Sequence, residues 1–165
     1  MVTPDHKFSA IFKELTNYYP NVSTEAIETA LQFKFVSTKM QAEREEMFSR
    51  FGVTSGRFHL LMILKGEENK TLSPSELAKR SKVTRATMTQ FVDALEKEGF
   101  VVRIDDPKDR RGMLVELTSK GMDKLNEVLP HYFEKLTNIT KVLTKEERQQ
   151  FLFLMEKIQS GSAAE

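Results

Sequence analysis

The stretch between Ser73 and Thr118 limits the possible folds of this 165-residue chain more than any other part of its sequence. Ser73 is followed at once by Pro74 and three positions on by Glu76, which is typical of a helix N-terminus, because serine caps free amide groups and proline suits the first turn. That helix must be short, since a break precedes Thr84, which can cap another. A short helix, a tight turn and a second helix predict a helix–turn–helix.

The second helix, from Thr84 to Glu98, is predicted to have one apolar and one polar face. Its apolar side chains recur at helical spacing: Met88, Phe91, Val92 and Leu95. Gly99 suits the left-handed conformation that commonly ends a helix. If the apolar face is buried, the opposite face turns Arg85, Ala86, Thr89, Gln90 and Asp93 to solvent.

Residues near the start of this helix have the chemistry needed to read DNA bases. Glutamine can bond adenine through two contacts, threonine and alanine can meet the thymine methyl, and arginine can bind guanine or phosphate. A helix enters the major groove N-terminal end first, which selects Thr84, Arg85, Ala86, Thr87, Thr89 and Gln90 as candidates. Taken alone, such a face is more often ordinary solvated surface, and that alternative stays open.

A β-hairpin is predicted directly after the second helix. Two apolar runs, Val101–Ile104 and Met113–Leu117, flank Asp106-Pro107-Lys108-Asp109, which is typical of a type I turn. Arg110 and Arg111 at its tip could enter a minor groove, where negative potential attracts arginine, and Asp109 could orient a guanidinium. The alternative is a charged turn that keeps the strands soluble. A helix–turn–helix followed by an arginine hairpin is much rarer by chance than either part.

Further helices are predicted on both sides of this segment. On the N-terminal side they cover Phe8–Leu15, then Ser23 or Thr24 to about Phe51, then Thr54–Leu64. After Thr118 apolar residues alternate steps of three and four: Met122, Leu125, Leu129, Tyr132, Leu136, Ile139 and Leu143. This period is typical of a coiled-coil seam, which Pro130 should bend or fray by one turn. The predicted fold class is mainly α with a small β-hairpin wing.

A last helix is predicted to begin at Thr144, which forms a capping box with Glu147. It presents Phe151, Leu154, Met155 and Ile158 on one face. Together with the helix before Pro20 and the coiled-coil seam, this leaves more apolar surface than one chain covers, which favours a two-fold partner. An antiparallel pair of the last two helices within one chain is the alternative.

Composition excludes several classes of function. The chain has no cysteine, which excludes disulfides and thiol chemistry and fits a reducing cytoplasm. His6, His59 and His131 show no ligand spacing, so no metal site is predicted. No cofactor or enzyme motif, and no apolar run as long as a membrane span, is found in the sequence. Because the net charge is only +1, binding to a polyanion requires a local patch, such as Lys79, Arg80, Lys82 and Arg85.

The stretch LSPSELAKRSKVTRATMTQFVDALEKEGFVVRIDDPKDRRGMLVELTSKG resembles the winged helix–turn–helix of MarR-type (multiple antibiotic resistance regulator) transcription factors. The family pattern D-x-R-x3-[LIV]-x-L-T-x2-G is matched by Asp109, Arg111, Val115, Leu117, Thr118 and Gly121. Leu95 to Val101 matches the helix-to-wing junction. The resemblance implies that Arg111 enters the minor groove, that Asp109 orients it, and that the helix after Thr84 reads bases.

The resemblance also implies partners. Family members are homodimers with interleaved terminal helices, and many lose DNA affinity on binding small, often aromatic anions. Double-stranded DNA, a second copy of the chain and a small-molecule effector are therefore expected, with phosphate contacts from Ser73, Lys79 and Lys82. Candidate residues for an aromatic or lipophilic effector are Arg57, Phe58, His59 and Met62, although ordinary core and surface roles are favoured for them.

The sequence thus predicts a non-enzymatic, cytoplasmic, sequence-specific DNA-binding regulator, a repressor, that binds an inverted repeat as a homodimer. Residues 1–52 and 119–160 are predicted to form dimerisation helices, residues 53–118 the winged helix–turn–helix, and residues 161–165 a disordered tail. The alternative is a winged helix used only for protein interaction or dimerisation. Steep loss of affinity with salt distinguishes the first from the second, because phosphate contacts release counterions.

Overall fold

The computed structural model describes residues 6–16, 18–19, 21–107 and 109–162, although not the side chains of residues 6–9, 13, 110, 111 and 162. In this part of the chain seven helices and three short strands follow in the order α1-α2-α3-β1-α4-α5-β2-β3-α6-α7. Contacts divide the chain into two compact units, Met1–Gly52 and Val53–Glu165. The predicted fold class is confirmed. The dimerisation role of the terminal helices stays a prediction.

The first unit contains two helices, α1 (His6–Thr16) and α2 (Thr24–Arg50). Ser23 caps α2 by accepting a hydrogen bond from the backbone N of Ala26 at 3.1 Å. The Thr24 hydroxyl donates to that of Thr16 at 3.0 Å and so joins the start of α2 to the end of α1. Ile11 and Leu15 on α1 remain about half exposed.

Three helices, α3 (Ser55–Lys65), α4 (Pro74–Ser81) and α5 (Arg85–Lys97), form the helical part of the second unit's N-terminal half. Each begins with a hydroxyl cap, Thr54, Ser73 or Thr84, whose oxygen accepts from the backbone N three residues on at 3.3, 3.2 and 3.1 Å. These caps satisfy amide groups that a helix start leaves free. The predicted helix starts are confirmed.

The turn between α4 and α5 depends on one left-handed residue. Lys82 has φ 53° and ψ 40°, and its backbone N donates to the Lys79 carbonyl at 3.2 Å. The next residue, Val83, donates to the Ala78 carbonyl at 3.1 Å. This pattern ends α4 and redirects the chain within a few residues, and so sets the orientation in which α5 begins.

The core of the second unit lies beneath α5 and the sheet. Met88, Val92 and Leu95 are buried as predicted, and they share the core with Leu61, Leu64 and Leu77. Gly56 allows α3 to approach α5 closely, because a Cβ at that position would lie 2.7 Å from Cζ of Phe91. The apolar face of α5 is therefore fixed, and its opposite face is left to solvent.

A three-stranded antiparallel sheet consists of β1 (Thr71–Leu72), β2 (Val101–Asp106) and β3 (Asp109–Leu117) in the order β1-β3-β2. The hairpin of β2 and β3 was predicted, although both strands are longer than expected. The strand β1 was not predicted, because two residues are too short to show an alternating pattern. It pairs Thr71 with Glu116 and Leu72 with Val115 on the outer side of β3.

The register changes near the tip of the hairpin. Asp105 pairs with Met113, whereas the next residue, Asp106, pairs with Asp109. The segment 110–112 of β3 therefore lies opposite an interval in which β2 has no residue, an irregularity that bends a strand. Arg110 and Arg111, which were predicted at the tip of the hairpin, belong to this irregular segment of β3. The predicted type I turn includes Lys108, which lies outside the described residues.

Helix α6 (Ser119–Thr140) is anchored to the helix-to-wing junction through Thr118 and Gly121. The Thr118 hydroxyl accepts from the Gly121 backbone N at 3.0 Å and donates to the carbonyls of Gly99 and Phe100. A Cβ at position 121 would lie 2.1 Å from the Phe100 oxygen, so only glycine fits there. The threonine and glycine of the matched pattern therefore dock α6.

The seam of α6 is buried at its start and exposed toward its end. Leu125 is fully buried, whereas Leu136 is 43% exposed. The helix is continuous through Pro130, so no turn frays there, and a bend at that residue stays a prediction.

Helix α7 (Lys145–Ser162) carries apolar residues that remain exposed to solvent in the single chain. Its predicted capping box is present, with Thr144 and Glu147 each accepting from the other's backbone N at 3.2 and 2.7 Å. Phe151, Leu152, Phe153, Leu154 and Ile158 are all about half exposed. The helix includes the first two residues of the predicted tail, and residues 163–165 lie outside the described part. Among the described residues, no helix is both long enough and apolar enough to cross a membrane.

Candidate nucleic-acid interface

The solvent-facing side of α5 is the first component of the site. Arg85, Ala86, Thr89 and Gln90 are exposed, and Thr87 is half-buried. This placement results from the burial of Met88 and Val92 on the opposite side of the helix, because side chains one or two positions away from a core residue point elsewhere. The four exposed residues extend over the first two turns, where a helix inserted end first meets bases.

Hydrogen bonds within α5 fix some of these side chains and leave others available. The Thr84 hydroxyl is used in the cap and lies 2.8 Å from that of Thr87. The Thr89 hydroxyl donates to the Arg85 carbonyl at 3.0 Å, which leaves its oxygen able to accept and sets the orientation of its methyl group. Gln90 is exposed one position further, with a side chain that can both donate and accept.

A cleft of about 670 Å³ separates the start of α4 and α5 from the wing. Its lining residues come from three places on the chain: Ser73, Pro74, Ser75, Arg85, Thr89, Asp106, Asp109, Gly112 and Met113. The structure therefore brings Ser73, Arg85, Thr89 and Asp109 together as one concave surface, although they were predicted from separate motifs. The cleft contains both a guanidinium and carboxylates, so its charge is mixed.

The wing arginines can be placed only by their backbone. Arg110 and Arg111 belong to the irregular part of β3 beside the cleft, but their side chains lie outside the described part of the structure. Asp109 is exposed and lines the cleft. Orientation of Arg111 by Asp109 stays a prediction.

The basic cluster predicted on α4 and the turn is smaller than its sequence suggests. Arg80 forms ion pairs with Glu67 and with Glu76, the latter at 3.2 Å. Hydrogen bonding to Glu67, and then to Glu76, raises the pKa of the Arg80 guanidinium, whose charge is offset by these two carboxylates. No acidic residue lies between Lys79 and Arg85 along the sequence, but in space Glu67 and Glu76 accompany Arg80. Lys79 and Lys82 remain exposed, so they are the better candidates for phosphate contact.

The structure adds a residue that sequence reasoning missed. Arg103 on β2 forms ion pairs with both Asp93 and Glu96 of α5. Its backbone N also donates to Oε1 of Glu96 at 3.1 Å. The hydrogen bond to Asp93 is the main cause of the raised pKa of Arg103, outweighing partial burial, which lowers it. The only sequence signal was an arginine among the apolar residues of a predicted strand.

The four candidate effector residues on α3 serve separate contacts. Arg57 forms an ion pair with Glu98 at 3.2 Å. Phe58 is buried, and its ring meets that of Tyr132 edge to face at 5.4 Å. His59 is exposed and Met62 is half-buried. An effector site at these residues stays a prediction. Within the described residues, no group of three or more acidic, histidine or cysteine side chains could hold a metal ion.

The fold and this interface define a winged helix–turn–helix protein of the transcription-regulator class. The model of the MarR family matches residues 53–113. The HTH-type transcriptional repressor YetL of Bacillus subtilis is 35% identical over 147 residues, which is 87% of this chain and 88% of that protein. The transcriptional repressor MprA of Escherichia coli (strain K12) is 31% identical over 125 residues, 76% of this chain and 71% of that protein.

A solved structure agrees with these sequence matches. The crystal structure of Sco3205, described as a MarR family transcriptional regulator from Streptomyces coelicolor in complex with DNA, has a TM-score of 0.77 and 26% sequence identity. The structural alignment covers 85% of this chain and 89% of the Sco3205 chain. The chain belongs to the MarR family. The resemblance seen in the sequence and the prediction of a transcription regulator are confirmed.

Proposed function

We propose that this chain is a transcriptional repressor that acts as a homodimer in the cytoplasm and binds an inverted-repeat operator, without enzymatic activity. The proposal is supported above all by the cleft between α5 and the wing, which is lined by the exposed residues Arg85 and Thr89 and lies beside the strand that contains Arg110 and Arg111. The names of the relatives, two of them repressors, support the direction of regulation.

The reading helix is assigned to α5. The major groove, roughly 12 Å wide, accepts one helix, and the first two turns of α5 present the exposed residues Arg85, Ala86, Thr89 and Gln90. Of these, Gln90 is suited to adenine, while Thr89 and Ala86 are suited to a thymine methyl. Thr84 and Thr87 are engaged with each other at the cap, so their role is to fix the start of α5 and to approach phosphate.

The wing is assigned to the minor groove and α4 to the backbone. Arg110 and Arg111 supply the positive charge that a narrow minor groove attracts, and Asp109 orients one of them. Ser73, Lys79 and Lys82 lie on α4 and its flanking turns, and they are proposed to hold phosphates on either side of the reading helix. The crystal structure of Sco3205, a protein of similar fold, is a complex with DNA, which supports DNA as the partner of this chain.

A second copy of the chain is proposed to cover the exposed apolar residues of α6 and α7. An intramolecular pair of these helices does not bury them, since Leu136, Phe151 and Ile158 remain about half exposed in the single chain. Exposed apolar surface of this extent is typical of an interface. The two-fold axis of such a dimer requires an inverted repeat in the DNA.

Salt dependence tests this function against the alternative of a protein-docking module. Affinity for a duplex selected by the protein is measured between low and moderate salt by fluorescence anisotropy. We expect log K to fall steeply and linearly with log salt, by about 0.9 for each phosphate contacted. Lys79→Ala or Lys82→Ala should flatten the slope by about one unit per contact, hence about two for a dimer.

The matched control is Lys97→Ala, which removes an exposed lysine at the far end of α5 and should leave the slope unchanged. A wild-type affinity that does not respond to salt would favour the docking module. If all three substitutions flattened the salt slope equally, the change would result from the net charge of the protein and not from phosphate contacts at Lys79 and Lys82.

A further inference from the structure

The side chain of Arg103 joins the wing to the reading helix. In β2, Arg103 pairs with Val115 of β3, which is fully buried. Arg103 therefore lies on the same face of the sheet as this core residue. There its guanidinium reaches two carboxylates on successive turns of α5, Asp93 and Glu96. One nitrogen serves each carboxylate, and the backbone N of Arg103 holds Glu96 as well.

The position of these contacts matters for the proposed interface. Asp93 lies one turn beyond Thr89 and three residues beyond Gln90, on the exposed side of α5. On the sheet, Arg103 lies three residues before the end of β2, or roughly 10 Å from the tip at about 3.3 Å per residue. Arg103 is therefore near the point at which the hairpin leaves the core, between the buried part of the sheet and the tip.

The same contacts contribute little to the stability of the fold. The side chains of Arg103, Asp93 and Glu96 are 25%, 59% and 36% exposed. Ion pairs with this much solvent access stabilise proteins only weakly. Their main effect is on the position of β2 relative to α5, because a planar guanidinium that bridges two carboxylates fixes both the distance and the orientation between the two elements.

We propose that Arg103 is a positioning residue, which sets the angle between the wing and α5 so that the wing and the reading helix engage adjacent grooves together. The proposal rests on the DNA-binding function proposed above. Arg103 acts through the wing and touches no DNA itself. Lysine cannot replace it fully, since one ammonium group does not span two carboxylates in a fixed plane.

A double-substitution cycle tests this role. Four proteins are compared on one duplex selected by the wild type: wild type, Arg103→Ala, Arg111→Ala, and the double variant. Since Arg103 acts through the wing, Arg103→Ala should weaken binding by roughly tenfold in the wild type and by much less once Arg111 is absent. Arg103→Lys should restore part of the loss. The salt slope of Arg111→Ala should not change when Arg103→Ala or, as the control, Lys97→Ala is added to it, since neither Arg103 nor Lys97 contacts phosphate.

An equal loss from Arg103→Ala in both backgrounds would overturn the proposal. A salt slope that Arg103→Ala flattens by about one unit per chain in the Arg111→Ala background would also overturn it, because it would indicate direct phosphate contact. If Arg103→Ala does not fold, as judged by circular dichroism, Asp93→Ala with Glu96→Ala removes both acceptors of the same bridge and takes its place in the cycle. Failure of the wild type to select any duplex would instead refute the DNA-binding function, so the two failures are distinguishable.

Discussion

At the scale of single residues, close packing explains why two glycines of the second unit are glycines. Gly56 faces the ring of Phe91, and Gly121 faces the carbonyl of Phe100 and the side chain of Leu117. Neither has a positive φ, so space and not backbone conformation sets the residue type. At Gly121 the obstacle is backbone, which cannot move aside as the end of a side chain can.

Gly121→Ala should therefore destabilise the protein by about 1–3 kcal/mol, despite the better helix propensity of alanine, because the added methyl group overlaps the Phe100 carbonyl. Urea unfolding monitored by circular dichroism measures this. The matched control is Gly161→Ala on α7, where a Cβ meets nothing within 4 Å. It should change stability by less than about 1 kcal/mol, in the favourable direction. Equal effects at the two positions would contradict the docking of α6 described here.

Gln90 provides the residue-scale prediction for recognition. Gln90→Ala should change base preference at a limited set of positions, mirrored across the two-fold axis, because its side chain is exposed over the first turns of α5. Selection of bound sequences by the variant and the wild type measures the change. Lys79→Ala is the contrast, since loss of a phosphate contact lowers affinity for all sequences alike. If Gln90→Ala lowered affinity for all sequences equally, Gln90 would contact the DNA backbone and not a base.

At the scale of secondary-structure elements, the wing is a short hairpin with an irregular tip. Asp106 and Asp109 pair beyond the point at which the register changes, and Gly112 lies against both, with a Cβ there 3.1 Å from Cβ of Asp106. The tip is thus compact where the arginines begin.

Arg111→Ala should weaken specific DNA binding by about 1–3 kcal/mol while the fold survives, because a minor-groove contact is lost. Asp109→Ala should act in the same direction through lost orientation. Asp105→Ala, another exposed carboxylate of the wing, is the control, and it should leave binding unchanged or slightly stronger. An Arg111 variant with wild-type affinity would remove the wing from the interface.

The positions of most helices and of the β2–β3 hairpin could be predicted from the sequence, because local signals determine them. Caps at Ser73, Thr84 and Thr144 give three of the helix starts, and apolar periodicity gives the buried face of α5. What was missed depends on contacts between distant residues. The pairing of β1 with β3 and the ion pair of Arg80 with Glu67 leave no local pattern. The bridge from Arg103 to α5 is of the same kind.

At the scale of the whole molecule, the proposed assembly depends on apolar side chains that one chain leaves exposed. Leu129 and Leu136 both belong to the predicted coiled-coil seam on α6, but only Leu136 is exposed to solvent. Leu129 is 9% exposed, so a charge there would unfold the protomer itself. Leu136 is therefore the cleaner position for testing the interface.

Leu136→Glu should dissociate the dimer and leave a folded protomer, because it places a charge in the proposed interface without disturbing the core. Sedimentation velocity measures the mass, and circular dichroism measures the fold. Asn138→Glu adds the same charge to an exposed site on another side of α6, and it should remain dimeric. A Leu136 variant that stays dimeric would place the interface elsewhere.

Selection of bound duplexes from a random library by the wild-type protein tests whether two copies of α5 and its wing read DNA together. We expect enrichment of an inverted repeat whose half-site centres lie about one helical turn, roughly 34–36 Å, apart. That spacing follows from two equivalent reading helices related by a two-fold axis. Enrichment of a direct repeat, or no enrichment of any sequence, would contradict it.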